Sequence, residues 1–241
     1  MKKRQAILTL LLVGVVTTVS AQFRQSIYIN GTLPTGKFAS SVDDSRSMVP
    51  LTYEEVGKDA TLGFGLGYRV SYWFDIGVGY VAPFAEVDFL YNLVGGEWRD
   101  KYLDLDMKNP NYFNFPLLGG VSYKYDQLWD DIVPFGEFAI GTDMLWITRE
   151  GKSVSDDPNN YYAYKANFSL SWMLGAGCFF GRHVSAGLYY YYLGKHPIDY
   201  TSKTLSNNNV ASLQLSTNEA AGHGRETRTV GSVALRIGFH F

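Results

Sequence analysis

The chain has 241 residues, a formal net charge of −2 and a single cysteine. The slight negative charge gives no support to a nucleic-acid partner, and one cysteine excludes a disulfide within the chain. The length suits one all-β domain or one to two ordinary globular domains.

The first 21 residues have the three parts of a secretory signal peptide. Three basic residues at positions 2–4 precede an apolar run over residues 6–16, and residues 19–21 (VSA) form a small-residue cleavage site. The apolar run is shorter than the roughly 18 residues that a membrane-spanning helix needs. We expect cleavage after Ala21, which leaves one mature domain over residues 22–241.

Beyond residue 21, apolar and polar residues alternate along eight segments. In Leu62–Tyr72, one parity is aliphatic or aromatic, while the other holds glycines, Arg69 and a serine. The alternation runs for about 11 residues, which suits a tilted membrane strand better than the strand of about 5 or 6 residues found in a soluble sandwich. The segments are Ser26–Leu33, Leu62–Tyr72, Phe74–Tyr91, Tyr112–Tyr125, Val133–Arg149, Tyr161–Phe180, Val184–Leu193 and Val230–Phe241.

An even number of strands can close a barrel, so the pattern predicts an all-β fold, a monomeric eight-stranded antiparallel up-and-down transmembrane barrel. The predicted links alternate in length, as short periplasmic turns and long external loops do. The short links are Trp73, Asp126–Asp131 and Gly181–His183, and the long links are Pro34–Asp59, Leu93–Asn111, Glu150–Asn160 and Lys195–Arg228. This alternation predicts that both mature termini are periplasmic.

In one segment, an unbroken alternation would place charged side chains on the lipid face. Along Phe74–Tyr91, Glu86 and Asp88 would face lipid if the alternation continued unbroken. A β-bulge at Val81–Pro83 would return both carboxylates to the lumen, and we predict one there.

The last segment ends the chain on an aromatic residue. Its predicted lipid face consists of Val233, Leu235, Ile237, Phe239 and Phe241. This ending resembles the C-terminal signal of Gram-negative outer-membrane proteins, which the barrel-assembly machinery recognises.

With the signal peptide and the alternating segments, this ending resembles the porin-like outer-membrane β-barrel family, of the small eight-stranded OmpX/OmpA-membrane-domain type. The resemblance covers essentially the whole mature chain. It implies an integral outer-membrane protein of a Gram-negative bacterium that contacts lipid and lipopolysaccharide and meets the assembly machinery during insertion. It specifies architecture rather than chemistry.

Three short motifs invite a chemical interpretation. Gly63–Gly67 has the spacing of a phosphate-binding loop, but it lies inside a predicted strand with no helix after it. The favoured interpretation is that these glycines leave room for larger side chains in the lumen. Asp104–Asn111 has alternating oxygen ligands without a complete calcium-loop signature, which favours a solvated loop. His183–Ser185 has the spacing of a lipid A deacylase pair, but its position at a periplasmic turn favours a turn histidine and a lumen serine.

The remaining histidines and a tyrosine run add no recognisable site. His196 and His223 fall in one predicted loop and His240 in the last strand, without metal-ligand spacing. In Tyr189–Tyr192 the side chains should alternate between lumen and lipid interface, although a sugar-binding platform is an alternative. We predict no catalytic, cofactor or metal residues.

Charged residues with inward parity form the one candidate cluster. Arg69, Glu137 and Arg236 should lie at similar heights, with Lys124 nearby, so that Glu137 sits between the two arginines. An eight-stranded barrel is only wide enough for side chains to fill, which predicts a charged plug. The alternative is that these groups are separately hydrated in a wet lumen.

The predicted function is non-enzymatic. External loops and the barrel wall would act in binding or complex formation, with a protein partner in an outer-membrane complex. A narrow passive pore is the alternative, and a lipid A-modifying enzyme is a more distant one.

Overall fold

The structure is a computed structural model that describes residues 22–40, 58–96, 110–129, 131–148, 150–151, 161–198, 200–203 and 227–241. The predicted signal peptide, His223 and most of the Asp104–Asn111 motif lie outside the described residues. Among the described residues, no helix is long and apolar enough to cross a membrane.

Eight long strands of the described residues form a closed barrel, which confirms the predicted fold. They are β1 (Gln22–Thr35), β2 (Ala60–Asp75), β3 (Tyr80–Val94), β4 (Tyr112–Lys124), β5 (Ile132–Ile147), β8 (Asn167–Phe180), β9 (Val184–Pro197) and β11 (Thr227–His240). Three short strands, β6 (Glu150–Gly151), β7 (Tyr161–Tyr164) and β10 (Tyr200–Lys203), form a separate sheet. The predicted segment Tyr161–Phe180 is therefore two strands.

Barrel strands that are consecutive in the chain are neighbours in the sheet, and all pair antiparallel. The barrel closes where the first strand meets the last, with a register that runs from Ser26 opposite His240 to Thr35 opposite Gly231. We call the end that carries the start of β1 and the end of β11 the terminus rim, and the opposite end the loop rim. The three short links join strand ends at the terminus rim, and the strand ends on either side of the four long links lie at the loop rim.

Side chains alternate between the lumen and the outer wall because successive residues of a strand point to opposite faces. In β11, Leu235 and Phe239 are 57% and 44% exposed, whereas Arg236 between them is 1% exposed. The predicted lipid face of the last strand, together with Phe241 at 62% exposure, does lie on the outer wall. The same alternation follows the other seven barrel strands, so an apolar wall surrounds a mixed polar and apolar lumen.

The predicted bulge at Val81–Pro83 is wrong, as is the predicted link at Trp73. The β2–β3 pairing keeps one register from Asp75 opposite Tyr80 to Ser71 opposite Phe84. Trp73 is inside β2, and the turn is Ile76–Gly79, in which Gly77 and Gly79 have the positive φ angles that glycine tolerates. Because Ile76 and Val78 are apolar, the turn has the sequence pattern of a strand. If the turn is counted as part of β3, the alternation places Glu86 and Asp88 on the lipid face; once it is recognised as a turn, both fall on the lumen face without a bulge.

Bulges occur instead near the loop rim. The register shifts between Ala60 and Gly63 in the β2–β3 pairing and between Val230 and Gly231 in the β9–β11 pairing. The second shift lets β9 continue past Gly194 to Pro197, so that His196 belongs to a strand and not to the predicted loop.

Three layers of side chains fill the lumen. Near the terminus rim, the ring of Phe179 packs against Trp73 and Phe135, with centroids 6.0 Å and 5.0 Å apart. Near the loop rim, Phe38 folds in from a single 3-10 turn (Gly36–Ala39) and packs on Tyr112, with ring centroids 5.1 Å apart. A layer of charged residues lies between these apolar layers.

Candidate functional site in the barrel lumen

The middle layer contains five charged side chains from four strands. Arg69 comes from β2, Glu86 and Asp88 from β3, Glu137 from β5 and Arg236 from β11. Each is at most 5% exposed because each has inward parity in its strand. We call this set the lumen network.

Glu86 is the centre of the lumen network, because both arginines bind its carboxylate. Arg69 donates to Glu86 Oε2 from Nε over 2.5 Å. Arg236 donates to Glu86 from Nη2 and Nη1 over 2.7 Å and 3.1 Å. Each guanidinium also donates to a second carboxylate, Glu137 for Arg69 and Asp88 for Arg236.

Arg69 forms a bidentate pair of hydrogen bonds with Glu137, from Nη1 to Oε2 over 2.5 Å and from Nη2 to Oε1 over 2.8 Å. Arg236 donates from Nη2 to Asp88 Oδ2 over 3.0 Å and from Nε to Asn30 Oδ1 over 2.9 Å. Paired hydrogen bonds of this kind are the strong form of the arginine–carboxylate interaction. They offset the large free-energy cost of removing each charge from water.

Aromatic rings enclose the two guanidiniums. The Arg69 guanidinium carbon lies 3.8 Å from the centroid of the Phe84 ring. The Arg236 guanidinium carbon lies 4.4 Å from the centroids of both Tyr28 and Tyr189. The Tyr191 hydroxyl, which also contacts Arg236, donates to Asp88 Oδ2 over 3.0 Å. These cation–π contacts add to the stabilisation of the two guanidiniums inside the lumen.

The lumen network differs from the predicted cluster in two ways. Arg69, Glu137 and Arg236 do meet in one network, but Glu86 lies between the arginines, whereas among the described residues Glu137 is hydrogen-bonded to Arg69 and not to Arg236. Lys124 is not part of it. As the last residue of β4, Lys124 lies near the terminus rim, with its Nζ 4.3 Å from the Tyr80 ring centroid.

The glycines of Gly63–Gly67 make room for the lumen network. A Cβ placed on Gly67 would overlap the Asp88 carboxylate, and one on Gly65 would overlap the Leu90 side chain. These glycines lie inside β2, so the segment is strand and not a phosphate-binding loop.

A second polar group lies between the lumen network and the loop rim. His196 Nε2 is 3.1 Å from Asp143 Oδ2, and both side chains are fully buried. The His196 ring also contacts the carbonyl oxygens of Asn167 and Leu193, at 3.1 Å and 2.8 Å. This pair joins β5, β8 and β9 where they approach the loop rim.

The candidate pair His183–Ser185 does not form. His183 lies in the turn after β8, and its Nδ1 is 3.0 Å from the His240 carbonyl oxygen. Ser185 is buried in the lumen, where its hydroxyl is 2.8 Å from Nε2 of His240, whose Nδ1 is 2.7 Å from Ser26 Oγ. His240 thus links the strands on either side of β11.

The tyrosine run alternates as predicted, with Tyr189 and Tyr191 in the lumen and Tyr190 on the wall. Within the part of the chain that the structure describes, no group of three or more histidine, cysteine or acidic side chains could hold a metal ion.

No family model matches the chain, and no curated protein matches it. Several solved structures are similar to it. Neisserial surface protein A is 10% identical, with a TM-score of 0.45 over 92% of this chain and 97% of that one. The outer membrane enzyme PagL is 16% identical, with a TM-score of 0.41 over 88% and 97%. The outer membrane protein OprG from Pseudomonas aeruginosa is 12% identical, with a TM-score of 0.37 over 92% and 95%.

Proposed function

We propose that the chain is an integral outer-membrane barrel with a closed lumen, which acts as a non-enzymatic binding or complex-forming protein. In this proposal the signal peptide is removed, both mature termini are periplasmic, and the loop rim faces outward. The outer wall and the external loops carry the activity, because they are the surfaces that a closed barrel offers to lipid and to partners.

The outer wall supports the membrane location. Large apolar side chains stand exposed on it in every barrel strand, including Leu66 at 55%, Leu117 at 60% and Leu170 at 64%. A monomeric soluble protein rarely exposes an apolar area of this extent, whereas a barrel in a bilayer requires it.

The observation that supports the proposal most strongly is that side chains fill the lumen. The lumen network fills the middle, and buried aromatic residues such as Phe179 and Phe38 lie toward the two rims. A passing ion would have to separate charges that are paired with each other and at most 5% exposed, which is costly in a buried site. The occupied lumen therefore favours a binding role over a passive pore.

The enzyme alternative has one feature in its favour, the hydrogen bond between Ser185 and His240. Both residues belong to the lumen near the terminus rim, and Ser185 is 3% exposed. Among the described residues, no carboxylate contacts the His240 ring to orient it as a catalytic base. A serine nucleophile needs an accessible hydroxyl and an oriented base, so this pair supports a structural role.

The test is conductance of the full mature protein in planar bilayers, together with the mass of lipid A from cells that produce it. We expect no stable conductance, unchanged lipid A mass, and a protein partner recovered in constant ratio after mild detergent extraction. Steady single-channel currents would replace the proposal with the pore. Loss of an acyl chain from lipid A only in producing cells would replace it with the enzyme.

A further inference from the structure

We propose that the outer wall of β8 and β9 binds one phosphorylated, acylated glycolipid of the outer leaflet. Its phosphate would contact Lys165 and Lys195 at the loop rim, and the end of an acyl chain would lie in a groove floored by Gly136 and Ala176. This inference rests on the proposed function for the orientation of the loop rim.

The acyl-chain site is an apolar groove of about 790 Å³ on the outer wall. Gly136 and Ala176 are direct partners in the β5–β8 pairing, so two small residues meet where neighbouring positions are large. The sides of the groove are formed by Phe138, Leu174 and Leu188, which are 51–63% exposed. The volume is in the range of ligand pockets, and the lining is that of an apolar ligand.

The phosphate site is a pair of exposed lysines above the same strands. Lys165 precedes β8, and Lys195 is near the end of β9. The Asn167 side chain donates to the carbonyl oxygens of Lys165 and Pro197, over 3.0 Å and 2.6 Å, which holds the two lysine-bearing segments together. Both lysines are exposed, and no carboxylate of the described residues forms an ion pair with either ammonium.

An aromatic surface connects the lysines to the groove. The Trp172 ring stacks on Tyr192, with centroids 5.8 Å apart and planes 21° apart, and it also packs on Tyr190 at 5.4 Å. Tyr190 is itself part of the groove lining. Above the stack, Phe168 on the same wall is 70% exposed. The β8–β9 wall is therefore apolar from the lysines down to the groove.

The spacing fits a lipid of the outer leaflet. Tyr190 is five residues from Lys195 along β9, which is about 13 Å in height at about 3.3 Å per residue and a strand tilt near 40°. Half of a bilayer's hydrocarbon core is about 15 Å. The upper edge of the groove thus lies where the acyl chains of a lipid with its phosphate at Lys195 would end.

The experiment is native mass spectrometry of the full mature protein in detergent, titrated with hexa-acylated bisphosphoryl lipid A. We expect the Lys165→Gln, Lys195→Gln double variant to weaken binding about tenfold, because two charge-assisted contacts are lost. Gly136→Leu should weaken it about fivefold by filling the groove. A Cβ on Gly136 meets nothing closer than 4.0 Å, so this variant should fold, which heat-modifiable gel mobility would verify.

Each variant has a matched control. Gly119→Leu adds the same side chain to the outer wall outside the groove, where a Cβ also has 4.0 Å of clearance. Arg182→Gln removes one exposed cation in the β8–β9 turn at the terminus rim. Both controls should bind lipid A like the unmodified protein, and phosphatidylglycerol should bind more weakly than lipid A.

The inference is overturned if the folded test variants bind like the unmodified protein, if the controls lose as much affinity, or if phosphatidylglycerol matches lipid A. A conducting protein that shows the expected lipid A pattern would reject the closed-barrel function and keep this site. A closed barrel without that pattern would reject the site alone.

Discussion

Replacing Glu86 by glutamine tests the lumen network at its centre. The substitution keeps the shape of the side chain but removes the one charge that both arginines share. Glu86 accepts three hydrogen bonds from guanidinium groups, two of them from Arg236. Removing one partner of a buried ion pair costs about 3–5 kcal/mol, so we expect the free energy of unfolding to fall by about that amount.

Glu137→Gln is the comparison within the lumen network. Among the described residues, Arg69 is the one arginine that is hydrogen-bonded to Glu137, and its guanidinium keeps Glu86 as a partner. We therefore expect a loss about half as large, near 2 kcal/mol. Asp126→Asn removes a charge from an exposed link and should change stability by less than about 0.5 kcal/mol.

The assay is urea unfolding of the mature protein in lipid vesicles, followed by tryptophan fluorescence. The order of effects is the critical result, with Glu86→Gln largest, Glu137→Gln intermediate and Asp126→Asn smallest. Equal losses for the two glutamate variants would refute the central position of Glu86. Losses as small as that of Asp126→Asn would show that both groups are hydrated in a wet lumen.

Three further predictions concern processing and closure of the barrel. The mature protein should begin at Gln22 and fractionate with the outer membrane, and N-terminal sequencing that reads Met1 or recovery in the soluble fraction would contradict this. Deleting Phe241 should lower the amount of heat-modifiable barrel on gels, because its backbone N–H and C=O both pair with Gln25 across the closing seam; unchanged abundance would exclude an assembly role. His240→Ala should lower the free energy of unfolding by about 1–3 kcal/mol, because it leaves two buried serines without their shared partner; a urea midpoint equal to that of the unmodified protein would contradict it.

The barrel could be predicted from the sequence because the membrane imposes a simple pattern. Every wall position must be apolar and every strand must be long, so the two-residue period of β11 specifies the outward position of Leu235 and the inward position of Arg236 without further information. The turn between β2 and β3 was predicted wrongly because Ile76 and Val78 continue the apolar pattern through it.

The partners within the lumen could not be predicted in the same way. Parity indicates that Arg69, Glu137 and Arg236 point inward, but which carboxylate each arginine reaches depends on the stagger between neighbouring strands. Glu86 is the direct partner of Arg69 in the β2–β3 register. The position of the turn at Ile76–Gly79 sets this register, and the apolar pattern of the sequence does not reveal that turn. Lys124 has the polar character of the cluster but lies too near the terminus rim to reach it.

Thiol accessibility of the lumen tests the closed barrel most directly. In a Cys178→Ala background, Ser171→Cys places a thiol of nearly the same shape at a fully buried lumen position, and Asp126→Cys places one on an exposed link. In lipid vesicles, a water-soluble maleimide should label the Asp126→Cys protein within minutes and the Ser171→Cys protein only after unfolding. Labelling of both folded proteins at the same rate would contradict the closed lumen.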